Sequence, residues 1–150
     1  GYEFGIKISG RGERWHVAPA PAFQGRCFNP ADSLSDAAPW LGDSSNVEAW
    51  GLGGLAAAAA PALLAGRAET PADGVAQCAE MAKICYGRNP LFRVPLIPEG
   101  CTPAGILPEL AVETGITPKM HGGILSRVTG GQIGVGYART PLTCFEKALR

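Results

Sequence analysis

Alternating apolar and polar positions open the chain. Within residues 2–9, apolar side chains alternate with polar residues or glycine, which is the period of a β-strand. Gly10-Arg11-Gly12 has the composition of a turn, and Trp15 and Val17 share one face of a second short strand. The pattern predicts a β-hairpin. Because the alternation is already under way at the first residues, we expect the chain to be part of a longer protein.

Helical spacing and helix start signals predict about four helices. The first passes through a Gly- and Ala-rich stretch, in which Gly53 and Gly54 would let another backbone approach closely. The second has Thr70 as its N-cap and Pro71 in its first turn, with Gly87 as its stop. The predicted helices span residues 46–64, 70–87 and 108–114, the last ended by Gly115, and a terminal segment that follows Thr140-Pro141.

The remaining chain reads as loops and strands. Residues 19–42 and 89–103 each contain four prolines, which predicts a long ordered loop and an extended path. Residues 116–124 indicate a strand with a bulge or a close backbone contact. In residues 132–138, Gly134 and Gly136 leave one strand face nearly bare, so another element should press against them. We expect an α+β fold, a short hairpin and strands packed with helices in a single domain or the carboxy-terminal portion of a longer protein.

Composition narrows the classes of partner. Thirteen basic and thirteen acidic residues give zero net charge, and no Lys/Arg cluster indicates nucleic-acid binding. Five cysteines form no Cys-x-x-Cys pair and only two histidines are present, which disfavours zinc and favours reduced thiols in the cytoplasm. The apolar run over residues 51–65 is shorter than the ~20 residues that cross a bilayer. We therefore expect a cytoplasmic protein whose partner is a small molecule or another protein.

Hydroxyl, amide and acidic groups precede the first predicted helix. Asp43, Ser44, Ser45 and Glu48 lie where backbone N–H groups would point at a ligand, which predicts a site for a small anion. Two other interpretations stay open. Ser45 and Glu48 have the spacing of a capping box, and the acidic residues would favour the positive end of any helix. The same carboxylates would also suit Mg²⁺, although no cofactor is required.

Other polar residues have side chains that a group-transfer reaction needs, to bind an anion or to move a proton. The planar guanidinium of Arg93 could bind an anion through two hydrogen bonds. Glu113 lies at the end of a predicted helix, where a negative charge is unfavourable, so we expect it to have a partner. His121 could act as an acid or a base near neutral pH. The alternative for His121 is a structural hydrogen bond. The candidate catalytic residues are Arg93, Glu113 and His121, and the candidate substrate-binding residues are Asp43, Ser44, Ser45, Glu48, Asn89, Thr102 and Gln132.

A series of short motifs, in order along nearly the whole chain, resembles the carboxy-terminal part of the YahG/YlbE-like family, which includes the AllG subunit associated with oxamate carbamoyltransferase. The chain differs from that pattern at Arg88, at Cys101 and at Met120-His121-Gly122-Gly123, which leaves the exact substrate open. The motifs are Gly42-Asp43-Ser44, Gly51-Leu52-Gly53-Gly54, Ala58-Ala59-Ala60-Pro61-Ala62, Gly87-x-Asn89-Pro90, Thr102-Pro103-x-Gly105-Ile106, Val112-Glu113-Thr114-Gly115-Ile116-x-Pro118, Gly131-Gln132-Ile133-Gly134-x-Gly136 and Cys144-Phe145-Glu146-Lys147-Ala148-Leu149.

The resemblance implies a function in purine degradation. It suggests a component of a carbamoyltransferase-like assembly that binds small anionic substrates such as oxalurate and phosphate, alongside a companion FdrA-type subunit and like copies of the chain. The alternative is a non-catalytic module for oligomerisation or partner binding, in which the small-residue helix is the contact surface.

Overall fold

A computed structural model describes residues 2–40 and 46–150. Asp43, Ser44 and Ser45 therefore lie outside the described residues. Mixed helices and antiparallel sheets confirm the α+β class. The strands are β1 Glu3–Ile6, β2 His16–Pro19, β3 Gln24–Cys27, β4 Cys85–Arg93, β5 Cys101–Ile106, β6 Lys119–Leu125 and β7 Gln132–Arg139. The α-helices are α1 Pro61–Gly66, α2 Pro71–Ala82, α3 Pro108–Thr114 and α4 Leu142–Ala148.

The predicted amino-terminal hairpin is confirmed. β1 and β2 pair antiparallel with Phe4 opposite Ala18. Helix α4 lies along this hairpin, where Lys147 Nζ donates to the Val17 carbonyl at 2.6 Å. The expected cap of α4 is wrong: Thr140 makes no capping bond, and its hydroxyl instead donates to Met120 Sδ at 3.5 Å. Helix α4 thus packs on the hairpin, and Thr140, just before the helix, contacts strand β6.

A three-stranded antiparallel sheet with the order β3-β7-β6 occupies the centre. Strand β3 lies inside the segment predicted as a long ordered loop, and the prediction is wrong over Gln24–Cys27, because backbone pairing to β7 does not need an apolar pattern. The predicted close contact at the β7 glycines is confirmed. A Cβ atom at Gly134 or Gly136 would collide with the β3 carbonyls of Arg26 or Gln24. The bulge predicted near β6 is also present, between Ile124 and Leu125.

The two faces of β6 have different surroundings. Met120 and Ala138 pack with Trp40, and the Trp40 indole covers Gly122 so closely that a Cβ there would lie 2.8 Å from the ring. Lys119 and His121 alternate with Met120 and therefore lie on the opposite face. Gly54 presses against the Lys119 carbonyl on that side, because a Cβ at Gly54 would overlap it. One face is thus apolar and the other polar.

The long first helix predicted over residues 46–64 is wrong. The structure has two 3₁₀ segments, Val47–Trp50 and Gly53–Ala59, followed by α1. Gly51 and Gly53 adopt positive φ values of 93° and 60°, which end a right-handed helix at that point. The chain then restarts at Pro61, which lacks an N–H to continue the preceding segment. Gly51 and Gly53 therefore form turns, whereas the sequence predicted that they lie inside one continuous helix.

Helix α2 begins as predicted but ends early. Thr70 and Asp73 form a complete capping box, and the helix stops at Ala82. Gly87 lies in β4, so it is not the helix stop. Strands β4 and β5 pair antiparallel across the proline-rich segment, with a register shift between Asn89 and Arg93. Helix α3 has the predicted bounds, and Gly115 ends it in the left-handed conformation.

The core lies where α2 packs on the second 3₁₀ segment. Ala57 and Ala58 contact Cys78 of α2, while Leu55, Met81 and Ile84 form an adjoining, fully buried cluster. In the part of the chain that the structure describes, no helix is long and apolar enough to cross a membrane.

Candidate functional site

Glu48 is the most unusual of the predicted site residues. It lies on the Val47–Trp50 turn with only 3% of its surface exposed. Its Oε1 accepts from the Gly54 N–H at 3.4 Å, whereas Oε2 has no hydrogen-bond partner among the described residues. Burial raises the pKa of Glu48 to about 7, and backbone N–H groups, including that of His121, offset only part of this effect. Glu48 therefore changes protonation state near neutral pH.

Glu48 borders a cavity of about 460 Å³. The cavity lies between the amino-terminal hairpin, the Val47–Trp50 turn, the segment from β5 to α3, and α4. Its walls are mainly apolar, and Lys7 and Arg11 supply the cationic groups. Lys7 also pairs with Glu13, and Arg11 Nη1 donates to the Ala148 carbonyl at 3.2 Å. The lining thus combines Glu48, Lys7, Arg11 and a second carboxylate, Glu109, with apolar walls. A mainly apolar cavity with a few polar groups is typical of a site for a small ligand.

Asn89 and Thr102 meet beside the same turn. They are direct partners across the β4–β5 pair. Asn89 Nδ2 donates to the Trp50 carbonyl at 2.7 Å, so this amide holds the turn against the hairpin. Thr102 is fully buried, and its Oγ1 has no hydrogen-bond partner among the described residues. A Cβ at Gly51 would lie 2.6 Å from that oxygen, which shows how closely the turn and the hairpin approach.

His121 lies on the polar face of β6, edge-on to Tyr137, with 6.5 Å between ring centroids. Burial lowers its pKa to about 4, and the nearby charges of Arg67 and Lys119 add to this effect. The imidazole is therefore neutral at pH 7. Through its backbone N–H, His121 also belongs to the surroundings of the Glu48 carboxylate.

The other predicted site residues lie apart from Glu48. Arg93 is exposed at the end of β4, opposite Cys101. Glu113 is exposed on α3, and among the described residues it has no ion pair with Arg93 or Lys119. Gln132 begins β7, where its Nε2 donates to the Gly134 carbonyl at 3.0 Å. The structure thus brings together Glu48, Asn89, Thr102 and His121 around the turn.

A second polar region was missed at the sequence level. Lys119, Arg139, Glu69, Glu80 and Gln77 line an open depression of about 560 Å³ beside α2. Lys119 has only 8% of its surface exposed, and its Nζ lies 4.0 Å from the centroid of the Tyr137 ring. The sequence signal for this region was Lys119 within a mainly apolar predicted strand. A lysine side chain that faces solvent would give the same pattern, so the sequence did not distinguish the two. In the described ranges, no group of three or more His, Cys, Asp or Glu side chains is placed to hold a metal ion.

Comparisons with known proteins identify relatives of the chain. The family described as oxamate carbamoyltransferase subunit AllG matches residues 1–44. The chain is 42% identical to the oxamate carbamoyltransferase subunit AllG of Escherichia coli K12, over 99% of this chain and 36% of that protein. It is 35% identical to the uncharacterized protein YahG of the same organism, over 99% of this chain and 32% of YahG.

A solved structure extends the similarity to three dimensions. The crystal structure of a conserved protein of unknown function from Enterococcus faecalis V583 superposes with a TM-score of 0.91 at 34% identity, covering 99% of this chain and 36% of that one. The chain spans about a third of the length of the relatives that it matches. Its sequence and fold therefore place it in the YahG/YlbE-like family, to which AllG and YahG belong.

Proposed function

We propose that the chain is part of a carbamoyltransferase subunit and binds a small anionic substrate in the cavity beside Glu48. The observation that carries this proposal is the position of a 3%-exposed carboxyl group on a cavity of about 460 Å³ that Lys7 and Arg11 also line. The identity to AllG supplies the reaction class. Cytoplasmic localisation and a function in purine degradation belong to the same proposal.

The protonation state of Glu48 lowers the negative charge of the cavity, so that Glu109 is the carboxylate that Lys7 and Arg11 have to offset. An ionised carboxylate would repel an anionic substrate, but a protonated carboxyl group donates a hydrogen bond. Because its pKa is about 7, Glu48 is protonated in much of the population at neutral pH. A neutral acid held in an apolar site can donate to a carbonyl oxygen as negative charge develops on it. In this proposal Glu48 polarises the carbamoyl carbonyl while Lys7 and Arg11 attract the anionic group.

Asn89 and Thr102 have a positioning function in this proposal. Asn89 holds the Val47–Trp50 turn on the β4–β5 pair by its bond to the Trp50 carbonyl, and Thr102 packs closely against Gly51 at the end of that turn. The backbone N–H of His121 also helps to position the Glu48 carboxyl group, although it lowers the pKa of Glu48 and so opposes the effect of burial. Arg93, Glu113 and Gln132 stay predictions without a place in this cavity, and Asp43, Ser44 and Ser45 precede the turn outside the described residues.

The test uses the full-length protein with its companion subunits and follows carbamoyl phosphate formation from oxalurate and phosphate. Replacing Glu48 by Met removes the donor, and we expect kcat to fall by about 100-fold, the size typical for loss of one transition-state donor. Glu48→Gln keeps an N–H donor and should retain most of the activity. In the wild type kcat should decline as the pH rises through about 7, whereas Glu48→Gln should lack that decline.

A matched control is Glu99→Gln, because Glu99 is a half-exposed carboxylate paired with Arg88 on the β4–β5 hairpin. This variant should leave both kcat and its pH profile unchanged. The proposal fails if Glu48→Met keeps wild-type activity, or if Glu48→Gln shows the same decline near pH 7 as the wild type.

A partner-binding module is the second candidate function, and an exposed apolar surface favours it. Tyr86, Leu91 and Leu96, on or next to the β4–β5 hairpin, are 84%, 83% and 60% exposed, and Trp50 on the adjoining turn is 69% exposed. Light scattering with and without the companion subunit tests this. Leu91→Ser should weaken association, whereas Val128→Ser, at an equally exposed position away from that hairpin, should not. A monomer without affinity for the companion subunit would remove this candidate.

A further inference from the structure

Apolar side chains form most of the wall of the cavity beside Glu48. Those that are only half-buried come from the amino-terminal hairpin and from the end of β5, so they keep apolar surface that a ligand can cover. They are Phe4, Ile6, Ile8, Ile106 and Leu107. The volume of about 460 Å³ lies within the roughly 300–1,000 Å³ of pockets that enclose drug-sized ligands. A small acid such as oxalate would leave much of this wall in contact with water.

Arg11 is a cation of this cavity with unused donors. Its Nη1 donates to the Ala148 carbonyl at 3.2 Å, and both residues line the cavity, which holds the guanidinium at the end of α4. Among the described residues, Arg11 has no carboxylate within ion-pair distance, whereas Lys7 is paired with Glu13. A guanidinium has more N–H donors than one carbonyl uses, and its planar fork matches a carboxylate.

The other charged groups of the cavity limit the ligand to one negative charge. Glu109 lies in the first turn of α3, where the positive end of the helix favours its charge, so Arg11 is not needed as its partner. A second negative group on the ligand would meet Glu109 or the apolar wall. A cationic head group would meet Lys7 and Arg11 together. A single carboxylate at Arg11 avoids both conflicts.

We infer that the cavity also binds a monocarboxylate with an aliphatic tail, with the carboxylate at Arg11 and the tail along the hairpin and the end of β5. The carboxylate gains charge-assisted hydrogen bonds, and the tail removes apolar side chains from water. This inference shares only the cavity with the proposed function and does not depend on the reaction. Because both ligands use the same space, a bound acid of this kind would exclude the small substrate.

The probes are butanoate, hexanoate and octanoate, titrated into the protein by isothermal calorimetry. We expect the affinity to rise about fourfold for each added methylene, the gain typical of burying that group. Octanedioate has the same tail with a second carboxylate at its far end. It should bind at least about tenfold more weakly than octanoate, because that charge would lie against the apolar wall.

Isoleucine methyl NMR locates the bound acid. Octanoate should shift the methyl resonances of Ile6 and Ile106, which line the cavity. Ile84 and Ile124 are internal controls, because both are fully buried and lie outside the lining. Their resonances should not move.

Three variants sharpen the test. Arg11→Met should weaken octanoate binding by at least about tenfold. Arg14→Met is its matched control, because Arg14 is exposed on the same hairpin and does not line the cavity, and it should bind like the wild type. Ala49→Trp places a large side chain at an exposed position of the lining and should abolish binding. If Arg11→Met fails to fold, Ala49→Trp and the chain-length series still decide the outcome.

Several results would overturn the inference. These are equal affinities for butanoate and octanoate, wild-type binding by Arg11→Met, or shifts at Ile84 and Ile124 with Ile6 and Ile106 unchanged. Methyl resonances that change on dilution of the protein, together with loss of octanoate binding at high protein concentration, would assign the cavity to a second copy of the chain and also overturn it.

The outcomes separate this inference from the proposed function. Octanoate binding at Ile6 and Ile106, together with wild-type carbamoyl transfer by Glu48→Met, would sustain the inference and refute the proposed function. Loss of carbamoyl transfer in Glu48→Met, without octanoate binding by the wild type, would do the reverse.

Discussion

Burial favours the neutral form of two carboxyl groups in this protein, Glu48 and Glu69, yet their pKa values are shifted in opposite directions. Glu48, near the Val47–Trp50 turn, has backbone N–H groups around it but no cation within ion-pair distance among the described residues, and burial raises its pKa to about 7. Glu69, beside α2, is also affected by burial, yet hydrogen bonds from Arg67 and Gln77 and the charge of Arg67 lower its pKa. The difference lies in the neighbours, not in the type of residue.

The comparison distinguishes the network around Glu69, which stabilises the fold, from the surroundings of Glu48, which suit a function. Around Glu69 the charges compensate one another, and the hydrogen bonds from Arg67 and Gln77 join the end of α1 to α2. Around Glu48 the fold tolerates a group that prefers to be neutral. Such groups are found disproportionately at binding and catalytic sites, because a titration near neutral pH is what acid–base chemistry requires.

The largest expected effect comes from breaking the compensated network. In Glu69→Ala, the Arg67 side chain, which is 3% exposed, would lose its ion-pair partner. We expect the free energy of unfolding to fall by about 3 kcal/mol, as when one member of a buried ion pair is removed. Urea denaturation measures this.

The control for that prediction is Glu99→Ala, which removes a half-exposed partner from Arg88. Its cost should stay below about 1 kcal/mol because the pair is solvated. Equal losses for the two variants would show that the network around Glu69 is no more stabilising than a surface pair.

An effect of similar size but with a pH dependence is expected at Glu48. Because its pKa is raised from 4.5 to about 7, the folded state binds more protons than the unfolded state between these values. Its contribution to stability is therefore present below about pH 4.5 and is lost as the pH rises through 7, by about 3 kcal/mol in total. Subtracting the unfolding free energies of Glu48→Gln from those of the wild type, from about pH 4.5 to about pH 8, isolates this slope.

His121 should produce the opposite slope. Its pKa is lowered from 6.5 to about 4, so its contribution is present above pH 6.5 and is lost as the pH falls through 4. The difference between the wild type and His121→Asn should therefore shrink on acidification, whereas the difference for Glu48→Gln grows. Slopes of the same sign for the two variants would contradict both assignments.

The smallest effect is expected at Thr102. Its buried hydroxyl has no hydrogen-bond partner among the described residues, so Thr102→Val removes a polar group without breaking a bond. Stability should stay within about 1 kcal/mol of the wild type or increase. Thr70→Val is the matched control, because the Thr70 hydroxyl caps α2 and its loss should cost about 1 kcal/mol. Thermal unfolding of both variants distinguishes a hydroxyl group that forms a hydrogen bond from one that does not.

Local patterns predicted the elements whose cause is local. The alternation in residues 2–9 predicted the first hairpin, the Thr70–Asp73 spacing predicted the cap of α2, and Gly115 marked the end of α3. Strand β3 could not be predicted in this way, because its partners lie more than 100 residues away in β7. The helix expected over residues 46–64 failed because Gly51 and Gly53 adopt positive φ, a choice that depends on contacts with β5 and with Glu48.

The candidate site shows the same limit. The sequence singled out Glu48, but on the expectation that it would lie at the positive end of a long helix. Its burial and its raised pKa depend on how the turn packs against β6, which no local pattern records. Lys119 and Gln77 are 42 residues apart in the sequence, and only the packing of α2 beside β6 places them in one depression.

The indole of Trp40, which covers Gly122, is an intrinsic fluorescent probe of the protein. Trp40 is 3% exposed, whereas Trp15 and Trp50 are 58% and 69% exposed. Aqueous quenchers such as iodide should quench the emission of Trp15 and Trp50 and leave a blue-shifted emission from Trp40. The indole covers Gly122, the residue next to His121 on β6, so its remaining emission reports on the apolar side of the sheet during ligand titrations without an added label.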